Sequence, residues 1–182
     1  AISGAIILQV RRDTTIKLSE FLATFYHDLA NDDSGITLRY STKIQLESYS
    51  NESLEAHFKE LLLTELPRQI ALGTTHIGPH RDDLLIYHRE QPMGPHSSRG
   101  EQRTAAIALR LSEARMIEQI TRNRPIILLD DVFSELDTDR RTRLMKALTS
   151  YDQVLVTTNE YLPRESESTS ILRIHAGQIT TP

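Results

Sequence analysis

The sequence predicts an α/β fold: a mainly helical lobe, then half of a three-layer unit whose mainly parallel sheet lies between helices. Three observations carry this reading. Residues 126–129 (IILL) and 153–157 (QVLVT) are short apolar runs of the kind buried on both faces of a parallel sheet. Segments 101–121 and 138–148 have helical composition and spacing, which gives helix–strand–helix–strand order from residue 100 onward. Most apolar positions before residue 74 recur at helical spacing. The chain is therefore divided into a mainly helical arm lobe, residues 1–73, and a sheet-bearing part, residues 74–182.

The elements follow in order. Ile6, Ile7, Val10, Leu18, Phe21, Leu22, Phe25 and Leu29 predict helix over about residues 1–30, with a break near 13–15. This pattern starts without an opening cap or leader, as expected for a piece of a longer polypeptide. Asn-Asp-Asp-Ser-Gly at 31–35 is a turn cluster. Residues 36–41 alternate, with Ile36, Leu38 and Tyr40 on one face of a strand. A helix is expected over 51–66, with Asn51 as its cap, Leu54, Phe58, Leu61, Leu62 and Leu66 as its stripe, and Pro67 near its end. Gly73 marks a stop. Residues 74–77 and 84–87 read as strands around the polar turn GPHRDD. Residues 94–100 form a loop, ESESTS at 165–170 is a polar loop, and 171–179 suggest a hairpin around Ala176, Gly177 and Gln178.

Composition narrows the class. The 182 residues are 38% hydrophobic, enough for a core, and the absence of cysteine excludes disulfides and thiolate metal sites. A net charge of −4 gives no global sign of nucleic-acid binding, although a local basic face is compatible with it. No apolar run approaches the roughly 20 residues needed to span a bilayer. The apolar run near the N-terminus has no basic region before it and is not a signal peptide. A soluble, cytoplasmic protein without membrane partners is expected.

Two segments carry chemistry. IILLDDVFSELD, residues 126–137, places acids at the carboxyl edge of a buried strand, where open α/β sheets bind ligands. Asp130 could hold Mg²⁺, which favours one or two carboxylates plus phosphate oxygens, or simply end the strand in a polar turn, although two acids followed by SELD are less ordinary for that. Asp131 could polarise an attacking water. Strand alternation sends neighbouring side chains apart, so the chain must bend if both are to serve one phosphate. In SSRGEQRTAAIALRL, residues 97–111, Ser98 and Glu101 form a capping box. A good helix start explains that much; Gly100 and the helix N-terminus would also suit phosphate. His76, His80, Asp82 and Asp83 admit a metal site or a solvated turn. Arg81 suits a phosphate contact or a local ion pair. Arg99, Arg103, Arg110, Arg115, Arg140, Arg141 and Arg143 could face DNA or simply form polar helix faces.

The order of these segments resembles the C-terminal half of an ABC-type ATPase head. Ser98–Glu101 matches the signature motif, 126–131 the Walker B strand, and Ser134 to Asp137 the D-loop. THIGPHRDDL, GEQRTAAIALRL, LLDDVFSELDTDRR and QVLVTTNE together resemble the RecF family of bacterial recombination ATPases, with the first 70 or so residues in the region of its helical arm. That resemblance implies ATP and Mg²⁺ as cofactors, an ATP-dependent homodimer, gapped or junction DNA as ligand, and RecO and RecR as partners. It gives Ser98, Gly100 and Glu101 contact in trans with the partner's nucleotide, Asp130 the Mg²⁺, Asp131 the catalytic role, and Ser134 and Asp137 the D-loop. Where ABC ATPases carry a switch histidine, this chain offers Thr158 and Asn159. It contains no G-x-x-x-x-G-K-[ST] phosphate loop, so it is expected not to hydrolyse ATP alone. Two other readings are a dimerising adaptor without catalysis and another ABC-type chromosome or repair ATPase; GPHRDD and the absence of sustained heptads argue against the last.

Overall fold

The computed structural model describes residues 1–44, 51–159 and 169–180. Glu160 and most of the expected polar loop at 165–170 lie outside them.

The first helix, α1 (Ile2–Ala30), runs unbroken through residues 13–15. Thr15 was the expected weak point, but its hydroxyl donates to the Arg11 carbonyl at 2.7 Å, which satisfies it inside the helix. Ala5, Leu8, Leu18, Leu22, Tyr26 and Leu29 form the buried stripe with Thr15. Ile6, Ile7 and Val10, assigned to that stripe from spacing, face outward. The helix stops at Asn31, whose φ of 53° turns the chain left-handed while its N–H bonds the His27 carbonyl.

Strand β1 (Ile36–Ser41) pairs antiparallel with β2 (Asp83–His88), Ile36 opposite His88 and Ser41 opposite Asp83. β2 continues into β3 (Gln91–Pro92) through Arg89 and Glu90, both at positive φ as a tight primed hairpin turn requires. This ladder crosses the expected boundary at residue 73. Helix α2 (Asn51–Thr64) ends before Pro67, which instead sits in the first turn of a separate helix, α3 (Leu66–Leu72). A proline's missing N–H costs nothing in a helix's first turn, so it opens a helix rather than closing one. Gly73 at φ 64° ends α3 as expected. Residues 74–77 are not a strand. Their polar groups are held locally: the Thr74 N–H bonds Gln69, and the Thr75 carbonyl accepts from Arg81 Nε at 3.0 Å.

After the loop come α4 (Arg99–Thr121), β4 (Ile127–Asp130), α5 (Thr138–Leu148) and β5 (Val154–Thr157). β4 and β5 pair in parallel, Ile127 beside Val154 and Asp130 beside Thr157. A hairpin of β6 (Arg173–His175) and β7 (Gln178–Thr180) turns at Ala176 and Gly177. Expected burial on both faces of the parallel strands is not met. Ile127 is 8% exposed, but Leu128 is 71% and Leu155 49% exposed. Alternation sends these residues to opposite faces, and among the described residues one face is left open.

Two cores result. One gathers α1 from Leu18 onward, β1, α4, β4 and α5 around Leu22, Tyr26, Leu111, Phe133 and Leu144. The other joins the start of α1 to α2 and Ile77 through Leu8, Leu54 and Phe58. No helix among the described residues is long and apolar enough to cross a membrane.

Candidate functional site

The carboxyl ends of β4 and β5 bring Asp130, Asp131 and Thr157 together. Parallel register sets Asp130 beside Thr157, and the Thr157 hydroxyl donates to Asp130 Oδ1. The Asp131 N–H bonds both the carbonyl and the hydroxyl oxygen of Thr157 at 3.1 Å. The bend required between the two acids lies at Asp131 itself, where φ is 46° and ψ 36°. A non-glycine residue in this region stores strain, and such strain persists where the surroundings fix it. Here Ser134 fixes it: its hydroxyl reaches the Asp131 carbonyl at 3.0 Å and Oδ2 at 3.2 Å. Thr157 was missed in the sequence. No local signal indicates it: only the parallel pairing of 127–130 with 154–157 puts this hydroxyl next to an acid.

Directly after Asp131 the chain folds as a 3-10 turn, Val132–Glu135, in which Phe133 is fully buried. Asp137 caps α5: its Oδ1 accepts from the Arg140 N–H at 2.8 Å, an arrangement worth about 1 kcal/mol. Arg141 donates to the Phe133 carbonyl at 3.1 Å and lies over its ring.

The segment read as the signature motif opens α4. The Ser98 hydroxyl accepts from the Glu101 N–H at 3.2 Å, and the Glu101 carboxylate accepts from the Ser98 N–H at 2.7 Å, closing the capping box. These bonds from Ser98 hold the Glu101 carboxyl below its usual range. Behind them, Tyr26 packs edge-on against His88 with ring centroids 5.3 Å apart. Burial, reinforced by the Glu101 and Asp32 charges, pushes Tyr26 up to about 12. Asp32 accepts from the Ser34 N–H at 2.8 Å and stands 3.2 Å from both His88 Nε2 and Arg89. The Ser34 hydroxyl meets the same His88 Nε2 at 2.7 Å, so the three side chains do not form a nucleophile–base–orienter relay, which needs both ring nitrogens.

Asp32 gives a pH prediction. Hydrogen bonds from Ser34, and then the Arg89 and His88 charges, lower its carboxyl from 3.8 to about 2. A depressed folded value means stability fully present above the unfolded value and lost as pH falls through the folded one. Asp32→Asn should therefore lower the melting temperature at pH 6 and narrow the gap to the parent at pH 2–3, measured by circular dichroism. An equal deficit at both pH values would contradict this assignment.

Other expected site residues are placed elsewhere. GPHRDD packs on the second core, with Gly78 against Phe58, Arg11 donating to the Pro79 carbonyl and the Tyr40 hydroxyl donating to Asp82. Arg81 is spent on Thr74 and Thr75. Among the described residues no group of three or more His, Asp or Glu side chains could by itself hold a metal, so His76 and His80 form no such site with Asp82 or Asp83. Asp130 does suit Mg²⁺ bound through one protein carboxylate and completed by phosphate oxygens and water. Thr158 is half-buried and Asn159 exposed just beyond β5. Arg110 and Arg115 pair with Glu113 and Glu118 along α4.

This fold, with these segments in this order, is that of the C-terminal half of an ABC-type ATPase head. No protein-family model matches the chain. Within the class the chain is similar to RecF. It is 36% identical over 174 residues to the DNA replication and repair protein RecF of Heliobacterium modesticaldum, covering 93% of this chain and 46% of that protein. Solved structures agree: the recombination mediator RecF-ATP of the RecFOR pathway superposes with a TM-score of 0.70 over 98% of this chain and 47% of that one, at 28% identity. RecF-ATPrS of the same pathway gives 0.79 over 99% and 47%, also at 28%. The chain thus spans about half the length of the curated relatives it matches, and what it resembles is their C-terminal half.

Proposed function

We propose that this chain supplies the signature, Walker B and D-loop elements of a RecF-like, ATP-dependent DNA-binding protein of recombinational repair and replication-gap processing. The observation that carries the reading is the turn at Asp131. There the chain turns left-handed directly after β4, the Thr157 hydroxyl of the neighbouring strand bonds both the Asp130 carboxylate and the Asp131 N–H, and Ser134 holds the Asp131 carboxylate. A structural strand end needs none of this.

In this reading Asp130 would hold Mg²⁺ on ATP, which would supply neutralisation of the phosphate charge. Asp131 orients and deprotonates the attacking water; its carboxylate reaches less far than a glutamate would, which suits slow hydrolysis used as a timer. Ser98, presented by the capping box on the first turn of α4, meets the γ-phosphate of ATP held by a second copy, with Gly100 and the helix N-terminus beside it. Glu101 acts by holding Ser98. Ser134 and Asp137 face the partner head across the same seam, and Thr158 or Asn159 takes the place of a switch histidine. Dimerisation closes the heads on gapped or junction DNA, hydrolysis releases it, and RecO and RecR are the protein partners. This sequence contains no G-x-x-x-x-G-K-[ST] loop, so in this reading a RecF-length protein supplies it and these 182 residues alone are expected to show no ATPase activity.

Ser98→Arg tests the trans contact. In a RecF-length protein carrying this sequence, the variant should still bind ATP as a monomer but fail to form ATP-dependent dimers in sedimentation velocity. ATP-dependent dimers at parental strength would remove the basis of the reading.

A further inference from the structure

We infer that Arg140 is a positioning residue that fastens the D-loop to the signature helix, so that Asp137 and Ser98 reach a partner head as one rigid piece. This rests on the reading above, in which both residues serve a nucleotide bound by a second copy.

Arg140 lies in the first turn of α5, three residues after Asp137. Its N–H bonds Asp137 Oδ1 at 2.8 Å, and its Nη1 stands 3.3 Å from Oδ2. The same Nη1 lies over Gly100: a Cβ added there would come within 2.8 Å of it and 4.0 Å of Cζ. The guanidinium occupies the space into which a side chain at this first-turn position would project, and it would have to shift to admit one. Thr104 fixes the glycine from the other side, its hydroxyl donating to the Gly100 carbonyl at 2.8 Å.

Arg140 lines a small interior space together with Leu29, Thr104, Ile107, Leu136 and Leu144, so it lies where α1, α4 and α5 meet. Its side chain is 25% exposed. An open cleft of about 470 Å³ above it, lined also by Asn31 and Arg143, leaves the Asp137 side accessible. A lysine could pair with Asp137, but its compact ammonium would not spread over Gly100 as the planar guanidinium does. The glycine of the signature motif therefore has a second use besides approach to phosphate: it is the seat of an intrachain clamp.

The test is a double-mutant cycle in a RecF-length protein, read by the ATP-driven dimer dissociation constant well below the melting temperature. Arg140→Ala and Gly100→Ala should each weaken dimerisation by about tenfold, and the double variant should be no weaker than the worse single one, because both break the same contact. Arg140→Lys should keep part of the affinity, and in that background Gly100→Ala should cost little. Losses that multiply in the double variant, or an Arg140→Ala protein that dimerises like the parent, overturn the positioning role. Should Arg140→Ala not fold, the cycle is run on the Lys background, where a full Gly100→Ala penalty has the same meaning. Ser98→Arg separates the two levels. If it blocks dimerisation while Arg140→Ala does not, only the positioning role falls. If it too dimerises normally, the trans-nucleotide reading falls and takes the positioning role with it.

Discussion

Asp131→Asn in a RecF-length protein is expected to reduce ATP hydrolysis by about a hundredfold or more, the usual contribution of a positioned general base, while ATP-dependent dimers still form and last longer. Asparagine keeps the size of the side chain, and its amide oxygen can still accept from the Ser134 hydroxyl that now reaches Oδ2 at 3.2 Å. It also tolerates the left-handed backbone, so the turn at φ 46° persists. What disappears is the capacity to take a proton from water. Single-turnover phosphate release and dimer lifetime measure the two halves of the expectation. Parental turnover, or dimers that neither accumulate nor persist, would move catalysis away from this residue and favour a dimerising module without chemistry.

The second large effect concerns stability. Phe133→Ala should cost about 3–5 kcal/mol, the range for emptying a buried phenylalanine site. Phe133 is fully buried in the first core, and its carbonyl accepts from both the Leu136 N–H at 3.2 Å and Arg141 at 3.1 Å. The ring thus supports the turn that carries Asp131 and Ser134 as well as the packing of α5. A loss of that size is a large share of the roughly 5–15 kcal/mol that holds a domain folded. Urea denaturation followed by far-ultraviolet circular dichroism gives the number; a change below about 1 kcal/mol would show that the turn stands without its apolar floor.

Much of the second half was legible because its signals are local. Ser98 and Glu101 are three residues apart and cap a helix by that spacing alone. An apolar run ended by two acids fixes both a strand and a bend. The errors lie where tertiary partners decide. Thr15 looks like a breaker until its hydroxyl is seen bonded four residues back. Residues 74–77 look like a strand, yet a strand needs a neighbour, and β1 is already paired with β2. Pro67 was read as a stop because sequence does not distinguish the last turn of one helix from the first turn of the next. The partnership of Asp130 with Thr157 and the seating of Arg140 on Gly100 join residues 27 and 40 positions apart, beyond the reach of any local pattern.

Helix α1 has a mechanical consequence. Its 29 residues, about 44 Å at 1.5 Å per residue, form a wall of both cores. Leu8 closes one and Leu22 the other on a single unbroken backbone. Neither core can melt without stripping the face of the rod that supports its neighbour. The two cores are therefore expected to unfold in one cooperative transition, with the rod as the mechanical link from α2 to the base of the Ser98 helix.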